Sequence, residues 1–187
     1  MGLQWMVTIE TIRVLAVNKD PHVMRSTLAS NDRSADKLHL DRFVPYRLSV
    51  LANIVSMSIA QAYEREFGLT IPEWRVMAVL ARYPDLSAIG VAQRTAMDKV
   101  AVSRAVQSLL AARRVARTYD RGDRRKSVLR LTSTGRSVYS RVAPLALRYE
   151  RKLLDALSTS DRRALDRLIG RLMEQARTID TLFGDSA

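Results

Sequence analysis

The chain has 187 residues, enough for one domain with a real core, and carries 31 lysines and arginines against 19 acids, a formal charge of +12 with a pI near 10.8. That excess makes an acidic partner the first expectation, with nucleic acid ahead of an anionic membrane surface. The absence of cysteine excludes disulfides, thiolate zinc sites and cysteine redox sensing, and fits a cytoplasmic setting.

Residues 1–40 read as an N-terminal extension. Glu10 and Arg13 interrupt the apolar residues of the first stretch, which lacks a secretory cleavage pattern. The polar segment after Met24 cannot support a packed core, so the working domain is expected to begin near Asp41, with Met24 as an alternative natural start. The longest uncharged run, Leu48 to Tyr63, is shorter than the roughly 20 apolar residues that cross a bilayer, and no membrane span is expected.

From Phe43 to Phe67, Val44, Leu48, Leu51, Val55, Ile59 and Tyr63 recur at helical spacing, with Val50, Ile54 and Met57 on a second face. A helix apolar on two sides is expected to be buried on two sides. Pro72 suits the start of a second helix ending at Arg82. Ser87 and Asp98 can each cap a helix, "AIGVAQRT" and "KVAVSRAVQSLLAARR". With only "AM" and the cap between them, the two form a helix-turn-helix.

"VARTY" and "SVLRL" alternate around the arginine-rich segment containing Gly122 and read as a β-hairpin. Thr132 can cap a long helix reaching Leu157, which Pro144 should kink. A last helix starts at Ser158 or Ser160, with Leu165, Leu168, Ile169, Leu172, Met173, Ala176 and Ile179 on one stripe. The fold class is therefore mainly α with one small hairpin. The apolar flanking helices call for a partner surface, most simply a second copy of the chain.

Between Arg94 and Lys126 lie ten cations and three acids, so a sixth of the chain holds more than half of the excess charge. On the helix after Asp98, a step of about 100° per residue separates Val102, Ala105, Val106 and Leu109 from Lys99, Ser103, Arg104 and Gln107. The second group has the chemistry of base and phosphate readout, and Val100 in the same arc suits a thymine methyl. The plain alternative is a solvated charged face. A hairpin tip rich in arginine suits the negative potential of a narrow minor groove, or else guards a two-stranded edge against aggregation.

Residues 41–183 resemble the MarR family of winged-helix regulators. The pattern Asp123-x-Arg125-x-x-x-Leu129-x-Leu131-Thr132-x-x-Gly135 is similar to the family's wing signature and the start of its long helix. "MDKVAVSRAVQSL" is similar to its recognition helix, and "GLTIPEWRVMAVL" to the helix before the DNA-binding unit. The resemblance implies a winged helix-turn-helix lobe over about 70–132 and dimerisation helices over about 41–67 and 133–183.

It further implies a homodimer on a pseudo-palindromic duplex, with Lys99, Ser103, Arg104 and Gln107 in the major groove. Asp123, Arg124, Arg125 and Lys126 would serve the wing, Arg125 entering the minor groove. Arg113 stands where the family usually has glycine; a left-handed backbone there would cost roughly 1 kcal/mol.

The resemblance also implies a repressor released by a small organic ligand, often an aromatic acid. Tyr46, Arg47, Trp74 and Arg75 are the candidate contacts, since arginine clamps carboxylates and aromatic rings stack. Trp74 as plain core and Arg47 as a surface ion-pair partner are the competing assignments. His22 and His39, the only histidines, lie in the extension, so no metal site is expected.

No cofactor is expected either: the sequence has no glycine-rich phosphate loop and no serine–histidine–aspartate arrangement, which speaks against an enzyme. A ligand-independent architectural DNA-binding protein is the alternative function.

Overall fold

A computed structural model describes residues 38–119 and 127–184, with side chains up to residue 179. The chain divides into two units at Phe43 and Val44. The described part of the first is a short turn in which the Arg42 and Phe43 amides donate to the His39 carbonyl at 3.0 and 2.9 Å.

The second unit runs α1 (Val44–Phe67), α2 (Ile71–Arg82), α3 (Ala88–Thr95), α4 (Lys99–Ala111), β1 (Val115–Tyr119), β2 (Ser127–Leu131), α5 (Ser133–Leu154) and α6 (Thr159–Gly184). Gly68 stops α1 in a left-handed conformation, φ 57°, that a residue without Cβ adopts freely. Thr70 then caps α2 in a reciprocal box: its hydroxyl accepts from the Glu73 amide while the Glu73 carboxylate accepts from the Thr70 amide at 2.7 Å. Pro72 sits in the first turn, where no helical amide bond is lost.

The strands pair antiparallel, from Val115 opposite Leu131 to Tyr119 opposite Ser127. Leu86 adds an isolated bridge to Leu129, closed by the Leu129 amide donating to the Leu86 carbonyl at 2.8 Å and the Asp85 amide to the Leu129 carbonyl at 3.1 Å. The hairpin is thereby tied to the loop entering α3. Thr132 caps α5, and its hydroxyl also donates to the Arg113 carbonyl at 2.7 Å. Ser158 caps α6 by accepting from the Asp161 amide at 3.2 Å.

The core is one cluster built around Val76, Met77 and Leu80 of α2, Val91 of α3, Val102, Val106 and Leu109 of α4, Val115 and Leu129 of the hairpin, and Val138 and Val142 of α5. The expected two-sided burial of α1 is not found within one chain. Only Ala60, Tyr63 and Phe67, all in its last third, are buried, whereas Leu48, Leu51, Ile54 and Met57 are exposed. The reason is packing range: among the described residues, the rest of the unit reaches only the C-terminal part of α1, so the apolar periodicity of its first half meets no counterpart there.

On α6, Leu165, Leu168, Ile169, Leu172, Met173 and Ile179 are likewise exposed. Two other boundaries differ from expectation. α4 ends at Ala111, before the two arginines, and α5 continues through Pro144 but ends at Leu154. Among the described residues, no helix is long and apolar enough to cross a membrane.

Candidate nucleic-acid interface

The helix-turn-helix is set by two caps and one left-handed residue. The Ser87 hydroxyl accepts from the Gly90 amide at 3.1 Å, and Asp98 Oδ1 from the Ala101 amide at 2.8 Å, each supplying an orphan N–H of a first helical turn. Between the helices Ala96 has φ 51°, which reverses the chain within the few residues available.

α4 then divides as its periodicity requires. Val102, Ala105, Val106 and Leu109 are buried, and Lys99, Val100, Ser103, Arg104 and Gln107 are exposed. At about 100° per residue the exposed five fall within about half a turn, from Lys99 and Ser103 at one edge to Arg104 at the other. The core grips one side of α4 so completely that the polar side has only solvent, or a partner, to face.

The two edges of this arc meet different neighbours. Lys99 and Ser103 line a small cleft of about 130 Å³ together with Ile89 of α3 and Arg117 of β1. Arg117 reaches it because side chains two apart share a face of a strand: it lies on the core side with Val115, but beyond the end of the core. Arg117 is one of the ten cations between Arg94 and Lys126 but not one of the site residues expected from sequence; the two-residue step from buried Val115 is the signal that places it.

At the other edge, Arg104 lines a shallow cleft of about 380 Å³ with Pro72, Glu73 and Ser108. Glu73 is nearly fully buried, 6% exposed. Burial pushes its carboxyl upward, but hydrogen bonds from Ser108 and Thr70 and the charge of Arg114 outweigh this and hold it below its ordinary value. Glu73 thus ties the start of α2 to the outer end of α4, a role the sequence signalled only through the Thr70–Glu73 spacing.

The turn leaving α4 is also fixed from several sides. Arg113 adopts φ 54°, so the left-handed conformation associated with glycine is present although the residue is arginine. The Arg114 carbonyl accepts from the Thr132 amide at 3.1 Å and its hydroxyl at 3.2 Å, and the Arg114 guanidinium donates to the Phe67 carbonyl. A Cβ on Gly135 would stand 2.0 Å from the Arg114 oxygen, which explains glycine at that position. The hairpin therefore leaves the lobe at an angle set by Arg113, Thr132 and Gly135. Asp123, Arg124, Arg125 and Lys126 lie outside the described residues.

The four candidate effector residues do not converge within one chain. Trp74 is half-buried and packs its ring 5.7 Å from Tyr139, stacked at 19°, and 5.8 Å from Tyr63. Arg75 donates to the Ser56 hydroxyl at 3.1 Å. Tyr46 and Arg47 lie in the first turn of α1, with Arg47 about 14 Å along the helix axis from Ser56. Trp74 thus joins α1, α2 and α5 as a packing residue. Burial raises the Tyr63 hydroxyl to about 12, despite the opposing charge of Arg75.

A helix-turn-helix with an exposed polar arc, a hairpin anchored to it and long helices on either side match known proteins on each count. The MarR-family sequence model matches residues 67–126. A MarR/EmrR family transcriptional regulator from Acinetobacter sp. ADP1 superposes with a TM-score of 0.69 at 26% identity, covering 75% of this chain and 99% of that one. The fold is that of MarR-family winged-helix regulators.

BpsR of Bordetella bronchiseptica, whose DNA binding is regulated by 6-hydroxynicotinic acid, is similar at 25% identity and a TM-score of 0.63, over 70% of this chain and 98% of its own. PcaV of Streptomyces coelicolor, solved with its natural ligand, shares the fold at 22% identity and a TM-score of 0.64, over 75% and 98%. No curated protein matches the sequence significantly. The family and its structural neighbours are transcriptional regulators, and DNA binding is the activity this fold supports.

Proposed function

We propose that this chain is a cytoplasmic homodimeric MarR-family repressor that binds a pseudo-palindromic operator and leaves it when a small organic anion binds. The observation that carries the reading is the division of α4: one side is locked into the core, and the other presents Lys99, Val100, Ser103, Arg104 and Gln107 outward. Those side chains supply donors for guanine, a bidentate partner for adenine and an apolar contact for thymine. Arg117 beside Lys99 adds a cation suited to the adjoining phosphate.

The dimer is supported by the exposed stripes of α1 and α6, which are too long and continuous for ordinary surface. Two copies joined through them would present two recognition helices, and a two-fold protein reads a palindromic site. Arg125 with its neighbours Asp123, Arg124 and Lys126 is assigned to the minor groove by sequence pattern. The effector is supported by the likeness to BpsR. For Tyr46, Arg47, Trp74 and Arg75 to share one ligand, a surface beyond the described residues would complete the site, and a second copy of the chain is the simplest supplier.

Selecting bound duplexes from a random pool, with and without aromatic acids, tests the proposal. A palindromic consensus that is lost on adding an acid is the expected result; equal retention of all sequences would favour an architectural DNA-binding protein.

A further inference from the structure

Among the described residues between Leu69 and Leu131, the most exposed large aliphatic side chains are Ile89 and Val100, at 62% and 59%. Both stand beside Lys99 and Ser103. Val100 lies within the outward arc of α4, and Ile89 lies across the small cleft that Lys99 and Ser103 line together with Arg117. A single exposed apolar residue is ordinary surface. Two of them bordering one polar face call for an explanation.

Ile89 cannot turn inward, because α3 is held to the core by the fully buried Val91, which at about 100° per residue points some 200° away from it. Its β-branched side chain is stiff at χ1, so it stands as a fixed apolar knob. Ala88, Ala92 and Val106 continue the apolar wall of the cleft, and Lys99, Ser103 and Arg117 form its polar wall. Among the described residues neither Lys99 nor Arg117 forms an ion pair. Asp98, next to Lys99, is engaged in capping α4.

An apolar spot bordered by uncompensated cations fits a group that is itself apolar and flanked by anions. The C5-methyl of a thymine in the major groove, with backbone phosphates to either side, is such a group. At about 130 Å³ the cleft is smaller than the roughly 300–1,000 Å³ of small-molecule sites. One methyl-bearing base edge needs no larger enclosure.

We infer that Ile89, outside the recognition helix, sets sequence preference by reading the methyl of a thymine on the hairpin side of the base pairs that face Val100 and Gln107. The placement follows from the two edges of α4: Arg104 borders the start of α2, whereas Lys99 borders the hairpin through Arg117. Lys99 and Arg117 take the phosphates beside that thymine. Preference is then shared by two helices, Val100 of α4 and Ile89 of α3 each covering its own methyl. The inference rests on the DNA-binding reading proposed above and adds to it a contact from α3.

Titration of the full chain with its selected duplex tests this when each thymine is replaced in turn by deoxyuridine, which lacks only the C5-methyl. Loss of one methyl on the hairpin side should weaken binding about fourfold, the effect of one buried carbon, and so should loss of one facing Val100. Ile89→Ala should weaken the unmodified duplex by a similar factor, become indifferent to deoxyuridine at the first position and keep its sensitivity at the second. Val100→Ala should show the converse, and Ile89→Val should retain most of the discrimination.

A consensus without thymine on the hairpin side, an affinity there unchanged by deoxyuridine, or a penalty that Ile89→Ala fails to remove would overturn the inference and leave the repressor reading standing. Ile89→Ala weakening every duplex alike, with a lowered melting temperature, would mark a structural role and overturn it too. Equal retention of all sequences would overturn the repressor reading itself, and this inference with it.

Discussion

The winged-helix lobe and the helices that flank it solve the same problem in opposite ways. In the lobe, Val76, Met77, Leu80, Val91, Val102, Val106, Leu109 and Leu129 are almost fully buried against one another, and each helix hides its apolar face within the chain. On α1 and α6, residues of the same type, among them Leu48, Leu51, Leu168 and Leu172, remain 47–51% exposed. Apolar periodicity therefore shows that a face will be covered without showing by whom. Where short connections fold the elements back on themselves the cover is local; where long helices extend past the lobe, the described residues supply none.

The largest effects should come from changes that exchange these two behaviours. Leu129→Ala empties the centre of the lobe and should cost about 2–5 kcal/mol, seen as a lowered denaturation midpoint at every protein concentration. Leu168→Glu with Leu172→Glu should instead abolish self-association in sedimentation while leaving the helical content and fold of the isolated chain unchanged. If both variants fell apart alike, the distinction between the regions would fail.

Gly135→Ala comes next. The added Cβ cannot coexist with the Arg114 carbonyl, and the forced backbone shift should cost about 1–3 kcal/mol and reduce DNA affinity by turning the hairpin. Thermal melting and duplex titration measure the two consequences separately.

Glu73→Gln should destabilise by about 1–2 kcal/mol at neutral pH through the loss of a charged capping acceptor. Because the folded-state carboxyl lies below its ordinary value of 4.5, its contribution is present above that value and disappears as pH falls through the lower folded value. The difference between wild type and variant should therefore shrink on acidification below about pH 4.5, as chemical denaturation across that range would reveal.

The smallest effect is a gain. Arg113→Gly relieves the left-handed backbone and should raise stability by up to about 1 kcal/mol, a shift of a few degrees in melting temperature.

Much of the lobe was legible because its signals are local. Ser87, Asp98 and Thr132 cap the helices they were expected to cap, both strands have their expected bounds, and the buried and exposed residues of α4 divide as a 100° step predicts. Arg113 shows a limit of composition: arginine argues against a left-handed turn, yet the Thr132 amide and hydroxyl, donating to the Arg113 and Arg114 carbonyls, hold the chain in it.

The Arg130–Asp85 pair was not legible, since it joins residues 45 positions apart across a bridge between a loop and a strand. The two pairs of candidate effector residues lie apart within one chain for a related reason. Tyr46–Arg47 and Trp74–Arg75 share a composition, but the pitch of α1 carries the first pair away from the second.

If the uncovered helices join two copies, two α4 faces meet one duplex. Titrating a labelled palindromic duplex at several salt concentrations, with stoichiometry determined in the same series, tests it most directly. Two chains per duplex and an affinity that falls steeply with salt are predicted; saturation at one chain per duplex, or binding indifferent to salt, would contradict it.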